Sequence, residues 1–154
     1  MDPRSGHAVA IVGATSSGKS RLALALAPQF GGEIISCDAL QVYRGMDIGT
    51  AKPTIEERAA VPHHMLDLRD PGQDFSAGDY QRLGREALWG VVHGGGLPVV
   101  AGGTGFYLKA LVEGLFEGPA RSAEARARLR VIAERRGTAC LHRMLHRLDP
   151  PAAQ

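Results

Sequence analysis

The segment Gly13-Ala14-Thr15-Ser16-Ser17-Gly18-Lys19-Ser20 constrains this chain more than any other stretch. It fits G-x-x-x-x-G-K-[ST], a pattern whose glycines let successive backbone N–H groups turn inward around phosphate oxygens at a helix N-terminus. Lys19 adds a mobile positive charge, and Ser20 can offer its hydroxyl to Mg²⁺. Such a loop needs a strand before it and a helix after it. Both flanks comply: Ala8 to Val12 is a continuous apolar run, and Arg21 to Ala27 is rich in Ala and Leu, which favour helix. A polyphosphate or diphosphate ligand is therefore expected at residues Gly13 to Ser20.

The remaining pattern alternates strands with helices. Glu33 to Cys37 is a second β-branched run, which closes a βαβ unit with parallel strands and puts Asp38 at the strand's carboxyl end. His64 to Leu68 reads as a third, shorter strand after a Pro- and charge-bearing connection through Lys52-Pro53 and Pro62. Ser76, with Asp79 three residues on, predicts a capped helix carrying Tyr80, Leu83, Ala87, Leu88, Val91 and Val92 at helical spacing. Gly94-Gly95-Gly96 stops it. Pro98 to Ala101 reads as a buried strand, turned by Gly102-Gly103-Thr104 into a helix with Phe106, Tyr107, Leu108 and Leu111. This order predicts an α/β domain, a mainly parallel sheet flanked by helices. Ligands of such sheets bind beyond the carboxyl ends of the strands. Gly13 to Ser20, Asp38 and Gly102 to Thr104 all fall at such ends, so three distant segments are expected to converge on one crevice.

After Gly114 the character changes to Arg/Ala-rich helix, broken near Gly137-Thr138 and ending at Pro150-Pro151. Residues 1–114 are expected to form the core and 115–154 the beginning of a helical insertion. The first part holds 10 Lys and Arg against 12 acids, the second 8 Arg against 4 acids. The basic tail suits an anionic partner such as RNA, although a solvated helix face carries the same pattern. The apolar runs fall far short of the roughly 20 residues that span a bilayer, and the N-terminal run is too short for a signal peptide. No membrane association is expected, and the location expected is the cytoplasm. Cys37 and Cys140 lack CxxC spacing and read as small apolar residues. His142 and His146 are four apart on a helix, but Arg143 and Arg147 beside them would repel a cation.

A kinase or ATPase is the default user of such a loop, and it wants a second carboxylate at the end of an apolar strand. The strand Pro98 to Ala101 runs instead into Gly102-Gly103-Thr104. Asp38 and Asp67 are the acids near other strand ends. Asp38, the better placed, can hold a metal, take a proton or cap a turn. Gly102-Gly103-Thr104 offers backbone donors and a hydroxyl that suit a second anionic group.

Gly13 to Ser20, the stretch from Ile34 to Pro53 with its Asp47-Ile48-Gly49-Thr50-Ala51-Lys52-Pro53, then Pro62-His63-His64, Asp70-Pro71 and Gly102 to Leu111 together resemble the tRNA dimethylallyltransferases. The resemblance implies a P-loop NTPase-like fold and transfer of a dimethylallyl group from its diphosphate to the exocyclic amine of the tRNA adenosine 3′ of the anticodon. The loop would then hold a leaving group, consistent with the missing kinase-type acid. By resemblance Asp38 matches the family's general base and Thr104 its pocket threonine, both catalytic. Asp38, Ala39, Leu40 and Gln41 match a tRNA-contacting stretch, with Thr104, and Arg126 matches a tRNA contact in the helical insertion. The partners implied are tRNA and dimethylallyl diphosphate, the cofactor Mg²⁺ near Ser20, and the state a monomer. This chain resembles roughly the first half of such an enzyme. A fragment that binds diphosphate without turnover, an isopentenyltransferase of free adenine nucleotides and a small-molecule kinase are the alternatives.

Overall fold

The computed structural model describes residues 7–115 and 122–154. Strand β1 (Val9–Val12) leads through the glycine-bearing loop into helix α1 (Lys19–Leu26), and a 3₁₀ turn, Ala27–Phe30, returns the chain to β2 (Glu33–Cys37). Helix α2 (Ile55–Ala60) and strand β3 (His63–His64) follow. Helix α3 (Ala77–His93), strand β4 (Pro98–Gly102) and helix α4 (Gly105–Val112) complete the sheet domain. The strands lie in the order β1-β4-β2-β3, every pair parallel. The expected β1-α1-β2 unit is thus parallel, but its two strands are not neighbours, because β4 lies between them. That insertion sets the row at the carboxyl ends: Gly102 is in register with Val12 on one side and with Cys37 on the other.

Alternation of side chains along each strand divides the core into two layers. Ile34 of β2 and Val99 of β4 pack with Ala23 and Ala27 on the α1 side. Ile35, Cys37 and Val100 face the opposite way and pack with Tyr80 of α3 and with Tyr107 and Leu111 of α4. The Tyr80 and Tyr107 rings stack with centroids 4.4 Å apart, and the Tyr80 hydroxyl, fully buried, donates to Ser36 O at 3.0 Å. That bond satisfies a polar tip which would otherwise be stranded in the core.

Helix α3 starts as its sequence predicts. Ser76 Oγ accepts the Asp79 N–H at 3.1 Å, and the Asp79 carboxylate accepts the Ser76 N–H at 3.0 Å, a reciprocal capping box. Thr54 and Glu57 repeat the device at α2, with bonds of 3.2 and 2.8 Å, in a segment the sequence reading treated as a connection. The third strand also departs from expectation. It pairs only over His63–His64, not His64 to Leu68, because Met65 and Asp67 adopt left-handed φ values of 64° and 55° that extended chain cannot contain. The chain turns there so that Leu68 donates its N–H to Val42 O at 2.7 Å.

The chain divides into two units, Met1–Leu115 and Phe116–Gln154. In the second, α5 (Ala123–Arg136) begins at Ser122, whose Oγ accepts the Ala125 N–H at 3.0 Å, and stops at Gly137, with φ 76°. Helix α6 (Thr138–Leu148) follows directly, and His142 Nε2 lies 2.9 Å from Ala153 O. Arg126 is exposed on the first turn of α5. No helix among the described residues is long and apolar enough to cross a membrane.

Candidate active site at the strand ends

Three connections leave the carboxyl ends of β1, β4 and β2 side by side. After β1 the chain passes Gly13 and reaches Gly18, whose φ of 86° turns the backbone into α1 at a position where a side chain would be strained. Residues Gly13 to Gly18 and Ser20 are exposed, and within the loop the Ser17 N–H donates to Ala14 O at 3.3 Å. Lys19 Nζ donates to Ala14 O at 2.6 Å, which folds the ammonium over its own loop.

After β4, Gly102 has no room for any side chain, since a Cβ there would collide with the Cys37 carbonyl. The strand end where a phosphoryl-transfer enzyme would carry its acid is therefore closed to one by the neighbouring backbone. Thr104 then tethers this turn to the end of β2 through three bonds. Its N–H donates to Cys37 O at 3.1 Å, its Oγ1 accepts the Ala39 N–H at 3.1 Å, and its carbonyl accepts from Cys37 Sγ at 3.5 Å. Burial pushes the Cys37 thiol above its ordinary pKa, so it is a neutral donor here.

After β2, Asp38 is half-buried, and its Oδ1 accepts the N–H groups of Leu40 at 2.8 Å and Gln41 at 3.3 Å. The side chain caps its own turn, as the sequence allowed, and its carboxylate is thereby held in one orientation. Oδ2 has no hydrogen-bond partner among the described residues. Gly13, Cys37, Gly102 and Thr104 bound a cavity of about 360 Å³, whose walls are completed by apolar Val12 and Leu108. Of the expected site residues, Gly13, Ala14 and Thr104 line this cavity, and Asp38 follows Cys37 at its edge in sequence without lining it. Arg126 belongs to the other unit.

Behind the Asp38 turn lies a polar clasp that the sequence reading did not find. Gln41 Oε1 accepts from Ser36 Oγ at 2.8 Å, and its Nε2 donates to Thr50 O at 3.0 Å and Ala51 O at 3.3 Å, so its amide is committed to the protein. Lys52, whose side chain is 0% exposed, donates to Tyr43 O at 2.7 Å and pairs with Asp47 at 2.7 Å and Asp67 at 2.8 Å. Asp67 also pairs with Arg58 at 2.7 Å. Burial alone would lower the Lys52 pKa, but the hydrogen bonds to Asp47 and Asp67 outweigh it and raise the pKa. For Asp67 burial acts upward, and the bonds from Lys52 and Arg58 reverse it, leaving the pKa lowered. The signal was present in the sequence as a lysine inside Asp47 to Pro53, yet a charged residue next to proline reads first as surface.

The family model described as IPP transferase matches residues 41–154. The chain belongs to the IPP transferase family. It is 53% identical over 143 residues to the tRNA dimethylallyltransferase of Koribacter versatilis, covering 93% of this chain and 47% of that protein. The tRNA dimethylallyltransferase of Solibacter usitatus is also 53% identical, over 94% of this chain and 47% of its own length. Among solved structures, the full-length tRNA isopentenylpyrophosphate transferase of Bacillus halodurans matches with a TM-score of 0.69 and 43% identity, over 94% of this chain and 48% of that one. A eukaryotic dimethylallyltransferase acting on tRNA matches with a TM-score of 0.82 and 28% identity, over 97% and 37%. This IPP transferase chain thus spans about half the length of the curated relatives it matches. Its parallel sheet flanked by helices is the P-loop-like part of the family fold.

Proposed function

We propose that this chain supplies the donor site and the base of a tRNA dimethylallyltransferase. In the reaction, the N6 amine of the tRNA adenosine 3′ of the anticodon, position 37, forms a bond to C1 of dimethylallyl diphosphate. The C1–O bond breaks, and pyrophosphate leaves with the electron pair. The proton lost by the amine goes to Asp38. The observation that carries this reading is one small cavity with apolar walls, lined by Gly13 and Ala14 of the loop and by Gly102, Gly103 and Thr104, with Thr104 Oγ1 bonded to the turn that Asp38 caps. Loop amides and Lys19 neutralise charge that builds on the departing diphosphate, which is where preorganised donors act most strongly. Lys19 reaches the anion by leaving Ala14 O, on a flexible stem. Thr104 keeps the Asp38 turn against the donor pocket, and the closed strand end at Gly102 supports a role for the loop in holding a leaving group.

The donor chemistry fits a divalent cation of the Mg²⁺ type, which takes few protein ligands and relies on phosphate oxygens and water. Ser20 would be its protein ligand, and the ion would supply charge neutralisation at the diphosphate. The adenosine must leave its stack to present its amine to Asp38, as in other base-modifying enzymes. Exposed Arg126 and its neighbouring arginines on α5 suit the tRNA backbone. On this reading the protein works as a monomer in the cytoplasm, without a membrane partner.

The experiment is direct: the 154-residue chain is incubated with labelled dimethylallyl diphosphate, Mg²⁺ and either unmodified tRNA or AMP. Labelled isopentenyladenosine in tRNA supports the proposal. Transfer to AMP in preference to tRNA would replace it with a nucleotide-modifying activity. Donor binding without any transfer would support a second reading, a diphosphate-binding portion that needs more of the family's length, which the roughly half-length match favours.

A further inference from the structure

Two cavities lie on the α3/α4 side of the sheet, and they share a wall. The first is the donor pocket of about 360 Å³ at the strand ends. The second, of about 510 Å³, follows β1 backward along Ala8 and Ala10 and is closed by Leu88, Trp89, Leu111 and Val112. Val12, on the first cavity, and Ala10 and Ala8, on the second, point to the same face of β1 because side chains alternate along a strand. The two cavities thus lie one after the other along that face. Leu108 lines both. Its position is fixed by the start of α4, where its N–H donates to Thr104 O at 3.1 Å, and by packing against the buried cluster of Tyr80, Val100 and Tyr107.

We propose that Leu108 is the residue that limits the length of the isoprenoid tail, a specificity determinant for five-carbon over ten-carbon prenyl diphosphates. The inference rests on the reading of the first cavity as the donor pocket. With the diphosphate on the loop at one end of that cavity, a short tail is contained by Val12, Cys37 and Leu108. A ten-carbon tail runs into the Leu108 side chain. The space behind that side chain is lined mostly by apolar side chains, and the guanidinium of Arg85, which also lines it, is engaged through its Nε with Leu111 O at 3.0 Å. It therefore has the chemistry to take the distal half of a longer tail once the partition is removed.

The test is equilibrium binding by calorimetry on the 154-residue chain, with dimethylallyl diphosphate, geranyl diphosphate and inorganic pyrophosphate as the three probes. Wild type is expected to prefer dimethylallyl over geranyl diphosphate by at least about tenfold, the discrimination a filled apolar pocket achieves. Leu108→Ala is expected to erase or invert that preference while pyrophosphate affinity stays within about twofold; Leu108→Phe keeps it. Leu108→Val, a smaller cut that preserves packing, is expected to shift the ratio about threefold the same way and carries the test if the alanine variant does not fold. An unchanged ratio in folded Leu108→Ala or Leu108→Val, with pyrophosphate bound normally, overturns the role of Leu108 and leaves the donor pocket standing. Failure of wild type to bind pyrophosphate or dimethylallyl diphosphate overturns the donor pocket itself, and this inference with it.

Discussion

The hydroxyl of Thr104 accepts the backbone N–H of Ala39 at 3.1 Å, joining the helix start after β4 to the turn that holds Asp38. Thr104→Val keeps the shape and removes the acceptor, leaving a half-buried amide unpaired. A loss of about 1–2 kcal/mol in urea unfolding is expected, with most of it restored in Thr104→Ser. A loss in Thr104→Ser with none in Thr104→Val would mean that the methyl group, not the hydroxyl, matters.

Asp38→Asn retains an acceptor for the Leu40 and Gln41 amides but cannot take a proton. Dimethylallyl diphosphate binding should be unchanged, and single-turnover transfer should fall by about 10²-fold or more, the range typical of a lost general base. Weakened donor binding would argue against that role. Lys19→Ala should do the converse, abolishing detectable binding of the diphosphate in calorimetry.

Lys52→Met removes a fully buried ammonium from between Asp47 and Asp67. Because Asp47 is 61% exposed and Asp67 keeps Arg58, the carboxylates left behind are partly compensated. The expected cost is about 1–3 kcal/mol by chemical denaturation, below that of an ion pair buried on both sides. Asp67→Asn in the Lys52→Met background should cost less than it does alone, and strict additivity would dissociate the two residues.

Folding should weaken in acid for a definable reason. Asp67 is lowered by its bonds from Lys52 and Arg58 acting against burial, and Asp79 by its bonds with Ser76. A group whose folded pKa is depressed contributes stability that is fully present above its unfolded pKa, about 4, and lost as pH falls through the folded value. Urea midpoints should thus decline below about pH 4, and Asp79→Asn should flatten part of that decline. The raised pKa of Lys52 has the opposite sense: its contribution is complete below about pH 10 and fades above it.

Gln41→Met cuts the side-chain bonds from Gln41 to Ser36, Thr50 and Ala51 while preserving bulk. Amide exchange at Ala51 and Lys52, whose N–H groups donate to Ile48 O and Asp47 O, should speed up by about five- to tenfold, the equivalent of roughly 1 kcal/mol. Unchanged exchange in the free protein, combined with weaker tRNA binding, would make Gln41 a direct RNA contact.

Much of the sheet domain was readable because local signals agreed with one another. The loop's pattern, the apolar run before it and the Ala/Leu run after it all demanded strand, turn and helix, and Ser76 with Asp79 announced α3. The same Thr-x-x-Glu logic at Thr54 was hidden by flanking prolines and charges, and left-handed backbone at Met65 has no sequence signature, while Asp67 is of a type that adopts it more often without announcing where. The placement of β4 between β1 and β2 could not be read, since strand order depends on contacts between segments some 65 residues apart. Of the site, Asp38 and Thr104 were visible as residues at turns, whereas the partition at Leu108 and the clasp around Lys52 exist only once distant segments pack.

The close approach of Gly102 to the Cys37 carbonyl also bears on how this scaffold can change over evolutionary time. An aspartate at that strand end, where phosphoryl-transfer chemistry wants an acid, must first push β2 and β4 apart, and with them the turn that carries Asp38. Any side chain at position 102 is therefore resisted by backbone sterics, whatever its charge.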